Sequence, residues 1–155
     1  MEHGAEIESF DDAFDRLFRI AYRSAYRLLG SREDAEDVAI DALTRASLHW
    51  RKVRTDPAPW VTTVSANLAI DIWRRRKRTP IHLPSSETDP IDSRRIDLVR
   101  ALEHLPRRQR DTVVLRYFAD LTESQTAEAL GISTGTVKQH ASRAMVALKQ
   151  ELGEP

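Results

Sequence analysis

The sequence predicts an all-α fold of two small helical domains joined by a flexible linker, the second a helix-turn-helix domain. Apolar residues recur every three or four positions in both halves, which is the spacing of helices with one buried face. Between the halves, residues 79–97 hold Pro80, Pro84 and Pro90 with Ser85, Ser86 and Asp89 and show no periodicity, as a linker would. No alternating apolar–polar run suggests a strand. The expected boundaries are 10–78 for the first unit, 79–97 for the linker and 98–152 for the second. At 155 residues in total, each unit has a thin core and leans on partners for its final order.

In the first unit a helix is expected from Phe14, with Leu17, Phe18, Ala21, Ala25, Leu28 and Leu29 on one face and Arg16, Arg19, Arg23 and Arg27 as a basic stripe on another. Gly30 ends it, because glycine accepts the left-handed conformation that closes a helix. Ser31 opens the next helix, with Glu33 and Asp34 in a first turn where negative charge is favourable. Ala35, Val38, Ala39, Ala42, Leu43 and Ala46 give that helix a narrow face that permits close packing. The stretch from Thr55 to Pro59 breaks the pattern, and Trp60, Val61, Val64, Leu68, Ile72 and Trp73 resume it in a third helix that runs into Arg74–Arg78.

The second unit begins near Ile96, with Leu98, Leu102 and Leu105 as its first apolar face. Pro106 suits a helix start, and Val113, Val114, Tyr117 and Phe118 follow. Thr122 with Gln125 reads as a capping box for a short helix through Leu130. Gly131-Ile132-Ser133 is a turn, and Ser133 caps a last helix to about Leu152.

Composition excludes several classes. Lys plus Arg and Asp plus Glu both number 24, so the chain is not a polycation that coats nucleic acid. The charge is unevenly placed: residues 1–15 carry six acids and no Lys or Arg, whereas Arg74, Arg75, Arg76, Lys77 and Arg78 form a cationic run beside Trp73. The chain has no cysteine, so disulfides, thiolate chemistry and Cys-based zinc sites are excluded. His3, His49, His82, His104 and His140 are scattered without ligand spacing, and neither a metal nor a cofactor is expected. No apolar run approaches membrane-spanning length and the N-terminus is acidic, which points to a soluble cytoplasmic protein. Nothing pairs the acids with a nucleophile or a ligand cluster, so no catalytic residue and no small-molecule substrate are expected.

Two constellations suggest nucleic acid. Thr122–Leu148 has the proportions of a helix-turn-helix: a short helix, a glycine turn, then a longer helix. With Val137 as the buried reference and about 100° per residue, Ala141, Ala144, Met145 and Leu148 fall on its side, while Gln139, Ser142 and Arg143 fall opposite, flanked by Thr136 and Lys138. Such polar, lightly basic side chains suit a DNA groove; the plainer alternative is a solvated face on a helical bundle. The second constellation is Asn67, Trp73 and Arg74–Arg78, where a cationic run beside an aromatic fits melted single strands. Its plainer reading is tryptophans in the core and a basic helix end complementing its dipole.

Both units resemble the extracytoplasmic-function (ECF) sigma factors, the compact two-domain branch of the bacterial sigma family. The resemblance is carried by Glu33-Asp34-Ala35-Glu36-Asp37-Val38, by Trp60 through Asn67-Leu68-Ala69-Ile70-Asp71, and by the Arg74–Arg78 run. It continues through Leu105-Pro106-Arg107-Arg108-Gln109-Arg110, Leu115-Arg116-Tyr117, Ala127–Ser133 and Gly135-Thr136-Val137-Lys138. It implies a transcription initiation subunit that binds RNA polymerase core and promoter DNA, helps open the duplex and answers to an anti-sigma protein. Asp34, Glu36, Asp37, Asp41 and Arg45 would dock on the core polymerase. Asn67, Trp73, Arg74, Arg75, Arg76, Lys77 and Arg78 would serve the −10 element, and Thr134, Thr136, Lys138, Gln139, Ser142 and Arg143 the −35 element. The sequence departs from the usual family pattern at Ile40, Ser47, Thr62, Ala66, His140 and Ala141. Two other classes fit parts of the pattern: a stand-alone helix-turn-helix regulator, and a sigma-like decoy that binds core without opening promoters.

Overall fold

The computed structural model describes residues 7–78 and 93–153, with Arg78 described in its backbone alone. The chain folds into eight helices among these residues: α1 (Phe10–Leu29), α2 (Arg32–Leu48), α3 (Trp50–Val53), α4 (Pro57–Arg78), α5 (Ser93–His104), α6 (Arg107–Tyr117), α7 (Glu123–Leu130) and α8 (Thr134–Leu152). No strand occurs among them, in keeping with the all-α expectation. Most of the expected linker, including its prolines, lies outside the described residues, as do Glu2, Glu6, His3 and His82.

Local signals set the helix ends. Ser9 caps α1 by accepting from the Asp12 amide at 3.1 Å, which starts the helix four residues before the expected Phe14. Gly30 closes α1 at φ 63°, its amide donating to Tyr26. Ser31 then caps α2 through the Asp34 amide at 3.3 Å. Pro57 and Pro59 sit in the first turn of α4, where a missing N–H costs nothing; the break read at Thr55–Pro59 is therefore a helix start. In the second unit the Thr122–Gln125 capping box is complete on both sides, and Gly131 ends α7 at φ 67°. Ser133 caps α8, accepting from the Thr136 amide at 3.1 Å.

The helices α1, α2 and α4 pack as the first unit. Ala35, Ala39, Ala42 and Ala46 are fully buried and let α2 approach closely, around the large side chains Leu17, Leu28, Leu43 and Ile70. On α1, Phe10, Phe14, Phe18, Tyr22 and Tyr26 stand at every fourth position, with adjacent ring centroids 5.9–6.5 Å apart. Phe10 also meets Trp50 edge-on at 5.5 Å, which ties the single turn α3 to α1.

In the second unit, α5, α6 and α7 pack around α8, with Val99, Leu102, Val114 and Val137 buried between them. This unit does not stand apart from the first. α5 lies against α1 and α4, and α6 against α4, so that one contiguous apolar cluster runs from Ala13 to Leu148. α5 begins at Ser93, inside the stretch read as linker to 97. Arg95 shows why: its Nη1 donates to the Leu28 carbonyl at the end of α1, at 3.1 Å.

Candidate functional site

The outer face of α8 is open. Thr134, Gln139, Ser142 and Arg143 are exposed, and so is Lys138, whose ammonium lies 3.8 Å from Glu123. Thr136 is half-buried, its hydroxyl 2.8 Å from that of Ser133. Beneath them Val137 and Ala144 are fully buried and Leu148 nearly so, while Ala141 and Met145 are half-buried. Ala127 is buried in α7, and Ile132 is half-buried in the turn before α8. The helix is thus held by one face and offers the other as a row of short polar and basic groups, the shape a major groove accepts.

The acidic row on α2 divides. Glu36, Asp37, Asp41 and Arg45 are exposed, with Arg45 Nε donating to Asp41 at 2.8 Å one turn away. Ile40 stands in the same exposed surface. Asp34 turns inward instead: its side chain is only 14% exposed, and both its carboxylate oxygens accept from the guanidinium of Arg76. That bond, ahead of the cost of burial, pushes the Arg76 guanidinium above its ordinary pKa and keeps it charged. Two residues expected in different interfaces therefore satisfy each other across the first unit.

The basic end of α4 is similarly engaged. Arg74 Nε donates to Glu103 of α5 at 3.1 Å, and its Nη1 lies 3.6 Å from Asp71. Lys77 reaches Glu103 at 3.9 Å and sits 5.1 Å over the Trp73 ring. Arg75 donates to the Asp71 carbonyl at 3.4 Å, and Arg78 is the last residue of α4. Asn67 is half-buried and both ends of its amide are engaged: Nδ2 donates to the Thr63 carbonyl at 2.9 Å and to Asp111 at 3.0 Å, and Oδ1 accepts from Arg110 at 2.8 Å. Burial, then the nearby charge of Arg74, lowers the pKa of the Arg110 guanidinium, which also donates to the carbonyls of Leu102, Glu103 and Leu105. Arg110 thereby ties the end of α5 to α4.

The partners Glu103, Arg110, Asp111 and Arg95 were not singled out by sequence reasoning. One signal was present. Val99 and Ala101 are apolar positions off the Leu98–Leu102–Leu105 face, and both are buried, so α5 has apolar contacts on more than one side. Among the family departures, Thr62 and Ala66 are buried inside α4, whereas Ile40 and Ser47 lie on the open surface of α2. Among the described residues no cluster of His, Asp or Glu could hold a metal ion, and no helix is long and apolar enough to cross a membrane.

Comparison with known proteins follows the same two blocks. Residues 13–79 match the family Sigma-70 region 2, and residues 95–148 match Sigma-70, region 4. The chain is 34% identical to the RNA polymerase sigma-E factor of Streptomyces coelicolor, over 95% of this chain and 88% of that protein. It is 36% identical to the ECF RNA polymerase sigma factor SigM of Mycobacterium tuberculosis, over 91% of this chain and 78% of that one. In fold it resembles the sigma factor RpoE of Bartonella quintana, solved in complex with the anti-sigma factor NepR, with a TM-score of 0.54 and 22% identity over 92% of this chain and 96% of that chain.

Proposed function

The chain belongs to the ECF branch of the sigma-70 family of RNA polymerase sigma factors, and from that premise we propose how its parts divide the work. It is a bacterial transcription initiation factor that binds RNA polymerase core and directs it to promoter DNA. In our reading residues 10–78 form the region 2 unit and 98–152 the region 4 unit. The exposed row Glu36, Asp37, Asp41 and Arg45 docks on the basic clamp of the polymerase, where complementary charge contributes orientation and on-rate more than affinity. Asp34 supports that row from within, through Arg76. Asn67, Trp73, Arg74, Arg75, Lys77 and Arg78 take the melted −10 strand. Thr134, Thr136, Lys138, Gln139, Ser142 and Arg143 read the −35 element.

The observation that carries the division is the pair of faces: a recognition helix buried by one side and open on the other, and a cationic helix end with an aromatic and an asparagine on a separate element. Each reader is weak alone, and holding both on one rigid polymerase raises their effective concentration for each other. Bases that unstack transiently are captured, which offsets a cost of about a few kcal/mol per base. In this reading the chain works in the cytoplasm, carries no catalytic centre of its own, and answers to an anti-sigma protein, as the family resemblance implies.

Runoff transcription with purified core enzyme tests the assignment. Promoter-specific transcripts from genomic fragments are expected, and core enzyme that yields none with this chain would overturn it. Within that assay Gln139→Ala should change preference at one −35 position by about 1–3 kcal/mol, whereas Arg78→Ala should weaken all promoters alike and reduce the salt dependence by about one phosphate. Uniform losses from both variants would remove α8 as the reader.

A further inference from the structure

Arg23 and Arg27 of α1 stand one helical turn apart, both exposed, and neither makes an ion pair among the described residues. Like charges at that spacing repel each other. The pair borders a cavity of about 310 Å³, closed by the first turns of α4 and by the turn between α6 and α7. Ser24, in the same lining, is only 5% exposed, and its hydroxyl makes no hydrogen bond among the described residues. A polar group so far removed from water costs stability until it finds a partner. The nearby Thr62 hydroxyl does not supply one, because it donates to the Ala58 carbonyl at 2.8 Å. Thr62 is also a position where the chain departs from the usual family pattern, so this part of the wall is the chain's own. Ile20, Pro59 and Leu121 make the lining apolar elsewhere, together with the Phe118 ring, whose centroid lies 5.2 Å from Arg27 Cζ. Asp120, at φ 51°, adds one carboxylate from the turn. Two guanidiniums against one carboxylate leave the cavity one positive charge in surplus.

We propose that this cavity is a binding site for a small aromatic monocarboxylate. The carboxylate lies against Arg23 and Arg27 and accepts from the Ser24 hydroxyl, while the ring lies between Phe118 and the apolar wall. Small-molecule sites are mostly apolar cavities of about 300–1,000 Å³ with a few convergent polar groups, and this one has that make-up. Guanidinium–carboxylate hydrogen bonds are charge-assisted and strong, so they fix which end of the ligand enters first. Asp120 works against a second negative charge, which favours a monoanion over a phosphate ester. The lining comes from α1, α4 and the α6–α7 turn, so one ligand touches both units. The site gives an initiation factor of this size a direct small-molecule input.

Titration of the full chain with 2-naphthoate, followed by calorimetry, tests the site, with 2-naphthamide as the uncharged counterpart. Naphthoate should bind saturably at one site and raise the melting temperature with its concentration, as a ligand of the native state must. The amide should bind at least about tenfold more weakly, because it brings no charge to the two guanidiniums. Arg23→Gln should weaken naphthoate binding by about tenfold, and Ser24→Ala, which deletes one hydroxyl, by about three- to fivefold. Both variants should keep the circular dichroism of the wild type. Arg19→Gln removes the same charge from the basic stripe one turn earlier on α1, outside the cavity, and should leave binding unchanged.

A chain that shows no saturable naphthoate binding overturns the site. Equal affinity for the amide overturns the choice of an acid as ligand and leaves a plain apolar cleft. Equal losses from Arg19→Gln and Arg23→Gln move the anion out of the cavity and onto the basic stripe at large, which also overturns the proposal. Should Arg23→Gln fail to fold, Ser24→Ala decides alone: unchanged affinity there removes the carboxylate from its assigned place.

Discussion

The Asp34–Arg76 pair joins the first turn of α2 to the last turn of α4 with two charge-assisted hydrogen bonds, the second at 2.5 Å. Asp34 is largely removed from water while Arg76 keeps 35% of its side-chain surface exposed, so solvent screens part of the pair. Removing Asp34 leaves a half-buried guanidinium without its carboxylate. Asp34→Ala should therefore cost about 1–2 kcal/mol in urea denaturation. Asp41→Ala, which breaks an exposed pair one helical turn apart, should cost less than about 0.5 kcal/mol. Equal losses would contradict the inward placement of Asp34. The folded pKa of Arg76 is raised, so its contribution is fully present below the ordinary arginine pKa and is lost only as pH rises through the still higher folded value. The Asp34→Ala loss should accordingly be the same at about pH 6 and about pH 9.

At the scale of elements, the two helix-closing glycines differ in what surrounds them. Gly30 and Gly131 both have left-handed φ, 63° and 67°, and alanine at either costs about 1 kcal/mol for the conformation alone. Beyond that, a Cβ on Gly131 meets open space, whereas one on Gly30 would stand 2.6 Å from Arg95 Nε. Arg95 is held there by the Leu28 carbonyl. Gly30→Ala should therefore cost more than Gly131→Ala by thermal denaturation, and the excess should vanish in an Arg95→Ala background. Additive losses in that double-mutant cycle would show that Arg95 does not seat on the end of α1. The pairing also explains why α5 starts earlier than the linker composition suggests: its first turn has a partner on another element.

For the whole molecule, the joined cores matter most. Residues of α1, α2, α4, α5, α6 and α8 share one buried cluster, so neither unit presents a complete core alone. The free chain should unfold in a single calorimetric transition, with van't Hoff and calorimetric enthalpies in agreement; two resolved transitions would show that the units fold independently.

Helix periodicity, the caps at Ser31, Thr122 and Ser133, and the glycine stops at Gly30 and Gly131 are set by residues within a few positions of one another, so the sequence alone determined the all-α class and most element ends. It also determined the open row on α8, because one buried valine and a constant angle per residue place every other side chain on that helix. The engagement of Asp34, Asn67, Arg74 and Lys77 was decided only in the tertiary structure. Their partners Arg76, Asp111, Arg110 and Glu103 lie 26–44 positions away, and charge or polarity along a helix face does not say which distant group will meet it. For the same reason the sequence separated two units by composition, while their contact, made by α5 and α6 on α1 and α4, came from long-range packing that no local pattern encodes.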